Sequence, residues 1–98
     1  MAGPLDGYTV IDISAVVSGP MCAQVLGDQG ADVIKIEPLD IGDITRLGGY
    51  RVDDVSAMFL SCNRGKKSMA RDLNQKAGID AMKRLVATAD VFVQNFRP

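Results

Sequence analysis

The first third of the chain has the pattern of apolar and polar residues expected of a β-α-β unit. An apolar, β-prone run at 10–13 is followed by small residues at 15–19, where the chain can turn. Pro20 predicts a helix start, because its missing N–H group is one of the donors left unpaired there. Gly30 predicts the end of this helix, and residues 33–36 supply a second strand. We therefore expect two parallel strands joined by a right-handed crossover.

The middle of the chain has no sustained period. Residues 39–49 are rich in Gly and Asp, which predicts either a binding loop or a flexible connection. Residues 56–60 form a short apolar patch that fits a helical turn or a short strand equally well. Residues 64–68 predict a tight basic turn.

A second β-α-β pattern follows. Residues 69–73 predict a third strand, and Asn74 is a suitable N-cap for a helix. The apolar residues of that helix share one face, namely Ile79, Met82, Leu85, Val86 and Ala89. Residues 91–93 predict the last strand. Together these elements predict an α/β fold with a mainly parallel, doubly wound sheet and helices on both faces.

Composition narrows the class of protein. The 98 residues allow one small domain, and 11 basic against 12 acidic residues give a net charge of −1, with no general attraction to nucleic acid or anionic membrane. Cys22 and Cys62 lie far apart, and the chain has no histidine, so we expect no metal site. Without a leader or spanning pattern at its start, we expect a cytoplasmic protein. Because the chain stops directly after an apolar strand, we expect residues 1–98 to begin a longer protein.

A dinucleotide site is the first function to test on a β-α-β unit. Its fingerprint requires G-x-G-x-x-G between strand and helix and an acid about 20 residues later. Here Gly19 is followed by Pro20, and the next glycine is Gly27. Glu37 has about the right position, but a lone acid after a strand is usually solvated. The sequence therefore favours only a helix N-terminus at the carboxyl edge of the sheet, where anions are stabilised.

Three segments are predicted to follow strands or turns near the same edge, at 16–19, 64–68 and 95–97. In the second, Arg64, Lys66 and Lys67 could hold phosphates, or could form a solvated turn. In the third, Asn95 and Phe96 could orient and pack against a ligand, or could be a strand cap and a core aromatic.

Catalytic groups are sparse. A histidine-based triad is impossible, and the carboxylates of Asp12, Asp43 and Asp72 occur singly, without an evident partner. We therefore expect a binding segment whose nucleophile lies elsewhere.

Several separated motifs together resemble family III CoA-transferases, a group that includes formyl-CoA and carnitine CoA-transferases and shares its fold with acyl-CoA racemases. These motifs are PLDGYTVIDIS, GPMCAQVLGDQGADVIKIEP, GDITR, NRGKKSMARDL and ADVFVQNFRP. The resemblance implies that residues 1–98 are the N-terminal part of a large Rossmann-like, CoA-binding domain. It also implies a homodimer of interlocked protomers.

The resemblance further implies which residues bind coenzyme A or acyl-CoA. They follow the first strand, flank the third strand and follow the last: Val17, Ser18, Lys66, Lys67, Arg71, Leu73, Asn74, Asn95, Phe96 and Arg97. Three positions depart from the family pattern. Val17 replaces a glutamine and Pro38 an arginine of formyl-CoA transferases, and Arg71 stands where leucine is usual, so we expect a substrate other than formyl-CoA with oxalate.

The implied activity is transfer of CoA from an acyl-CoA to a carboxylic acid acceptor, through an anhydride with an aspartate beyond Pro98. Two alternatives remain open. One is a 2-methylacyl-CoA racemase, against which Asn95 argues, and the other is a nucleotide-binding module without catalysis.

Overall fold

A computed structural model describes residues 3–98. In chain order its elements are β1 (Thr9–Asp12), α1 (Ser18–Asp28), β2 (Asp32–Glu37), a 3-10 helix (Ile44–Leu47), β3 (Arg51–Val52), β4 (Val55–Ser56), α2 (Ala57–Asn63), β5 (Lys67–Ala70), α3 (Lys76–Val86) and β6 (Val91–Val93). Among these residues, no helix is long and apolar enough to cross a membrane.

Four strands form one parallel sheet in the order β5-β2-β1-β6. The chain moves outward from β1 through β2 to β5, and then returns across the sheet to place β6 on the other side of β1. This reversal confirms the predicted doubly wound α/β sheet. In open α/β sheets a crevice typically forms outside the carboxyl ends of the strands near such a reversal.

Alternate residues of the strands fill two cores. On one face Val10 and Val33 pack with Ala23 of α1. On the other face Ile11 and Ile36 lie under apolar residues of α3, including Met82. Because successive strand residues point to opposite faces, the same short strands serve both cores. The prediction of helices on both faces is confirmed.

The first β-α-β unit agrees with its sequence pattern. Helix α1 begins at Ser18, so that Pro20 lies within the first turn, where its missing N–H is tolerated. Gly30 follows the helix with φ +109°, which confirms the predicted helix end. Gly19 has a packing role, because a Cβ there would overlap with the side chain of Ser14.

The second β-α-β unit is shifted from its prediction. Strand β5 covers 67–70 instead of 69–73, since its register places Ala70 beside Glu37, the last residue of β2. The cap of α3 is Gln75. The prediction of Asn74 as N-cap is wrong by one residue, because the first bond of the helix runs from the N–H of Ile79 to the carbonyl of Gln75 at 3.1 Å.

The segment without a period contains short elements. Residues 51–56 form a hairpin in which Asp53 and Asp54 have φ of +50° and +63°. Positive φ at both central residues is typical of a type I′ turn. The apolar patch at 56–60 resolves into α2, whose N-cap Ser56 accepts a hydrogen bond from the N–H of Phe59 at 3.3 Å.

Candidate binding crevice at the carboxyl edge of the sheet

The turn between β1 and α1 is held by side chains from several strand ends. The N–H of Ser14 donates to Asp12 Oδ1 at 2.9 Å, and its carbonyl accepts from Lys35 Nζ at 3.0 Å. The N–H of Ala15 donates to Asn95 Oδ1 at 3.1 Å, while Asn95 Nδ2 donates to the Ala15 carbonyl at 2.7 Å. The backbone of this turn is therefore fixed by residues of β1, β2 and the segment after β6.

Val16, the next residue, has φ +74°. The left-handed region is unfavourable for a β-branched side chain and persists only where the surroundings impose it. Here the N–H of Val16 donates to Asp43 Oδ1 at 3.3 Å. The same oxygen accepts from the N–H of Thr45 at 3.0 Å and from its hydroxyl at 2.9 Å. A segment 27 residues away thus holds the strained turn.

Four buried charges of alternating sign lie under the turn. Lys35 Nζ is 2.9 Å from Asp43 Oδ2 and 3.9 Å from Asp12 Oδ2, and Lys66 Nζ is 2.7 Å from Asp12 Oδ2. Their side chains are at most 2 % exposed. Two lysines balance two aspartates, as burial of charge requires. The expectation that Asp12 and Asp43 lack partners is wrong.

Burial and hydrogen bonds act in opposite directions on these groups. Burial raises the pKa of Asp43, but the bonds from Thr45 and the ammonium of Lys35 outweigh it and leave the pKa below its usual value. Burial lowers the pKa of Lys66, and Asp12 offsets only part of that change.

The prediction of an exposed basic turn at Lys66 is wrong. Its ammonium uses three donors within the protein, to Asp12 at 2.7 Å, to the Pro20 carbonyl at 2.8 Å and to Asn63 Oδ1 at 2.8 Å. An ammonium has three N–H donors, so no donor is left for a phosphate. Lys67 is exposed but lies away from the crevice, because it pairs with Asp32 at the start of β2.

Glu37 forms a second buried centre at the end of β2. Arg46 binds both of its carboxylate oxygens, at 2.7 and 2.8 Å, and the hydroxyl of Ser68 donates to it at 2.5 Å. Burial raises the pKa of Glu37, but these bonds and the N–H of Asp43 together lower it to about 2. Glu37 is therefore not the solvated strand end that its isolation in the sequence suggested. Arg46 also lies 3.8 Å above the centre of the Phe59 ring.

Two cavities open beside these centres. One, of about 300 Å³, is lined by Arg71, Leu73 and Asn74, together with residues 38–40 and Asp72. The other, of about 260 Å³, is mainly apolar and is lined by Leu73 and Phe96 among others. Pro38 and Leu73 belong to both, so the cavities adjoin. Four of the sequence-predicted residues therefore line two adjoining cavities, which together we call the crevice.

Four predicted residues lie outside these cavities, namely Val17, Ser18, Asn95 and Arg97. Val17 and Ser18 are exposed at the start of α1, and Asn95 Nδ2 lies 3.3 Å from Ser18 Oγ. Arg97 is exposed. The amide of Asn95 is already bonded to the turn through both of its polar atoms, so its geometry fits the strand-cap alternative and positions the turn.

Sequence reasoning missed Lys35, Ser14 and Thr45 as members of the site. A signal was present, because Lys35 interrupts the apolar run of β2 between two isoleucines. A lysine within a strand covered on both faces must be paired. The acids that could pair with it were Asp12 and Asp43.

Comparison with known proteins gives consistent relatives. The model of CoA-transferase family III matches residues 5–98. The chain is 44% identical over 96 residues to succinyl-CoA:glutarate CoA-transferase of Mus musculus and 39% identical over 99 residues to formyl-CoA:oxalate CoA-transferase of Escherichia coli. These matches cover 97% and 100% of this chain, but only 22% and 24% of the relatives. The chain therefore spans about a quarter of their length.

Solved structures agree. A CAIB/BAIF family protein from Brucella suis matches with a TM-score of 0.90 and 42% identity, over 98% of this chain and 26% of that one. A hypothetical protein from Mycobacterium tuberculosis matches with a TM-score of 0.88 and 43% identity, over 99% and 26%.

Proposed function

Because the chain belongs to CoA-transferase family III, we propose that residues 3–98 bind coenzyme A within a protein that moves CoA from an acyl-CoA to a carboxylic acid. The observation that carries this proposal is the pair of adjoining cavities at the carboxyl edge of the sheet, lined by residues that follow β2 and β5 and by Phe96, which follows β6. Ligands of open α/β sheets bind at such positions.

The lining of the crevice suits the two parts of coenzyme A. Arg71 and Asn74 supply a cation and an amide where phosphates could be held. Leu73 and Phe96 supply apolar surface for the pantetheine arm. Helix α1 has no side-chain cap at its start, where Ser18 is exposed beside the turn, and a helix N-terminus favours a negative charge.

The proposed chemistry uses a carboxylate that lies outside residues 1–98. This carboxylate attacks the thioester carbonyl, the C–S bond breaks, and CoA leaves as thiolate while an anhydride forms. The thiolate then attacks the enzyme's own carbonyl of the anhydride, which releases the donor acid and leaves CoA on the enzyme as a thioester. The acceptor carboxylate attacks that thioester, which releases the thiolate again and forms a second anhydride between enzyme and acceptor. The thiolate then attacks the acceptor's carbonyl, which gives the new acyl-CoA and frees the enzyme carboxylate.

Within this sequence of steps, residues 3–98 contribute binding. The thiolate must stay close to the enzyme through two attacks, and contacts to the distant nucleotide can hold it there. We propose that the protein acts as a homodimer, as the family resemblance implies.

The relatives suggest the class of acceptor. One is named for glutarate and the other for oxalate, and both acids are dicarboxylates. Because Val17 stands in place of the glutamine of formyl-CoA transferases, we propose a dicarboxylic acceptor other than oxalate.

The test uses the full-length protein with an acyl-CoA and isotopically labelled carboxylic acids. We expect label to appear in a new acyl-CoA, with no transfer when the acceptor acid is left out. Incubation of a 2-methylacyl-CoA in deuterium oxide is the second arm. Incorporation of deuterium at the α-carbon, without CoA transfer to any acid of a broad panel, would contradict the proposal and favour a racemase.

A further inference from the structure

We propose that Asp43 is a positioning residue, which holds Val16 in its left-handed conformation and thereby sets the start of α1 in place for coenzyme A. This inference rests on the proposed CoA-binding function. Asp43 is not among the residues predicted to contact coenzyme A, so the role is an indirect one.

The first argument concerns the hydrogen bonds that hold the backbone around Val16. Within the described chain, the N–H of Ser14 and both polar groups of Ala15 are held by Asp12 and Asn95. Those bonds fix the turn up to residue 15. The N–H of Val16 is held by Asp43 alone, at 3.3 Å. Removing this acceptor releases the one residue of the turn whose backbone is strained.

The second argument is the cause of the strain. Val16 is 47% exposed, so its side chain gains little from burial that could offset the unfavourable φ of +74°. A conformation that its own side chain disfavours must be imposed by bonds to the backbone. Among the described residues, Asp43 is the partner of the Val16 N–H, so we assign this constraint to Asp43.

The third argument is the support behind Asp43. Its second oxygen is 2.9 Å from Lys35 Nζ, and Lys35 also binds the carbonyl of Ser14 at 3.0 Å. Its own N–H donates to Glu37 Oε1 at 2.9 Å, and Glu37 is clamped by Arg46. Asp43 is therefore fixed on both sides, as a residue that positions another must be.

The fourth argument is the location of the turn. Val17 and Ser18 follow Val16 directly and provide the first exposed groups of α1. Asp43 lines the apolar cavity together with Phe96. Asp43 therefore links the turn to residues 41–44, which line this cavity, and both segments should shift if its carboxylate is lost.

The test separates the hydrogen-bond acceptor from the buried charge in the full-length protein. Both variants carry Lys35→Met, so that no unpaired ammonium remains, and Asp12 keeps Lys66 at 2.7 Å. One variant adds Asp43→Asn, which retains an acceptor for Val16, and the other adds Asp43→Ala, which does not. A third variant adds Val16→Gly to the alanine variant, since glycine adopts positive φ without strain.

We expect the alanine variant to bind coenzyme A roughly tenfold more weakly than the asparagine variant, in line with the usual strain of such a residue. Val16→Gly should recover most of this loss. Hydrogen exchange of the peptide that covers the turn, measured without coenzyme A, should be faster in the alanine variant. Asp53→Asn, in the exposed hairpin, is the control and should match the parent in both CoA affinity and hydrogen exchange.

Equal CoA affinity and equal exchange in the alanine and asparagine variants would overturn the role of Asp43. A loss of affinity that glycine does not recover would also overturn it, because the loss would then come from something other than Val16. Binding and exchange distinguish the two proposals. A parent protein that does not bind coenzyme A would overturn the proposed function, whereas unchanged exchange in the alanine variant would overturn the positioning role alone.

Discussion

Asn95 and Ala15, 80 positions apart in sequence, exchange two hydrogen bonds, at 2.7 and 3.1 Å. Each residue follows one of two neighbouring strands, Ala15 after the central strand β1 and Asn95 after the edge strand β6. The side chain of Asn95 completes the backbone pairing where the two strands diverge. These two bonds therefore tie the segment after β6, which includes Phe96 at the apolar cavity, to the turn after β1.

Asn95→Asp should weaken this connection in the full-length protein. Aspartate still accepts from the N–H of Ala15, but it cannot donate to the Ala15 carbonyl. We expect a loss of about 1 kcal/mol, at the low end of the usual range because Asn95 is exposed, and a weaker affinity for coenzyme A. Thermal unfolding and calorimetric titration with CoA would measure the two effects. The control is Gln94→Glu, which makes the same chemical change at the neighbouring residue and keeps its bond to the N–H of Phe96. Equal stability and equal CoA affinity of the two variants would contradict the prediction.

Glu37 should make stability depend on pH in the acid range. Its pKa is lowered from 4.5 to about 2 in the folded protein, so its contribution is fully present above pH 4.5 and is lost as the pH falls toward 2. The shift corresponds to about 3 kcal/mol at neutral pH. Glu37→Gln should remove this component and flatten the decline of melting temperature between pH 4.5 and 2.

Arg46→Lys tests the cause of that shift. Lysine cannot bind both carboxylate oxygens in the planar geometry of arginine, so the pKa of Glu37 in the folded protein should rise. The decline below pH 4.5 should then be smaller and should end at a higher pH. An acid transition that is identical in the parent and both variants would show that Glu37 does not control it.

Lys66 and Lys67 should behave differently although they are adjacent. Lys66→Met leaves Lys35, at 3.9 Å, as the cation nearest to Asp12, and breaking a buried pair costs about 3–5 kcal/mol. Lys67 is 70% exposed and its pair with Asp32 is worth at most about 1 kcal/mol, so Lys67→Met should unfold close to the parent temperature. Melting temperatures of the two variants make the comparison, and similar values would contradict the buried cluster.

We expect Arg71 to be the cation that lies nearest to the phosphates of bound coenzyme A. Arg71→Ala should weaken CoA by about 1–2 kcal/mol at low salt, and the difference should shrink as ionic strength rises. Arg84 is exposed on α3, outside the crevice, and Arg84→Ala is the matched control. If both alanine variants bind coenzyme A like the parent at low salt, the phosphates do not lie beside Arg71.

The sequence predicted most of the sheet because its strands are marked by local patterns. The runs at 10–13, 33–36 and 91–93 each appear as a strand, and the α/β class follows from their alternation with helices. The hairpin at 51–56 escaped prediction, since its strands have two residues each and its turn consists of two aspartates at positive φ without the usual glycine.

The site was harder to predict than the fold. Arg71, Leu73, Asn74 and Phe96 line the crevice, and their contact with coenzyme A stays a prediction. Lys66 was misassigned, because a basic turn next to a glycine looks exposed, and only the three-dimensional proximity of Asp12, 54 positions away, reveals why it is buried. Pairs of that kind depend on long-range topology and leave no local pattern.

The position of β6 beside β1 also has a consequence for synthesis on the ribosome. Ala15 is made 80 residues before Asn95, which corresponds to about 4–16 seconds at ordinary translation speeds. During that interval β1 can pair with β2, but its other edge is unpaired and Ala15 lacks its partner Asn95. The nascent chain therefore carries an unpaired strand edge that invites aggregation, and chaperone protection would be most valuable between the emergence of β2 and that of β6.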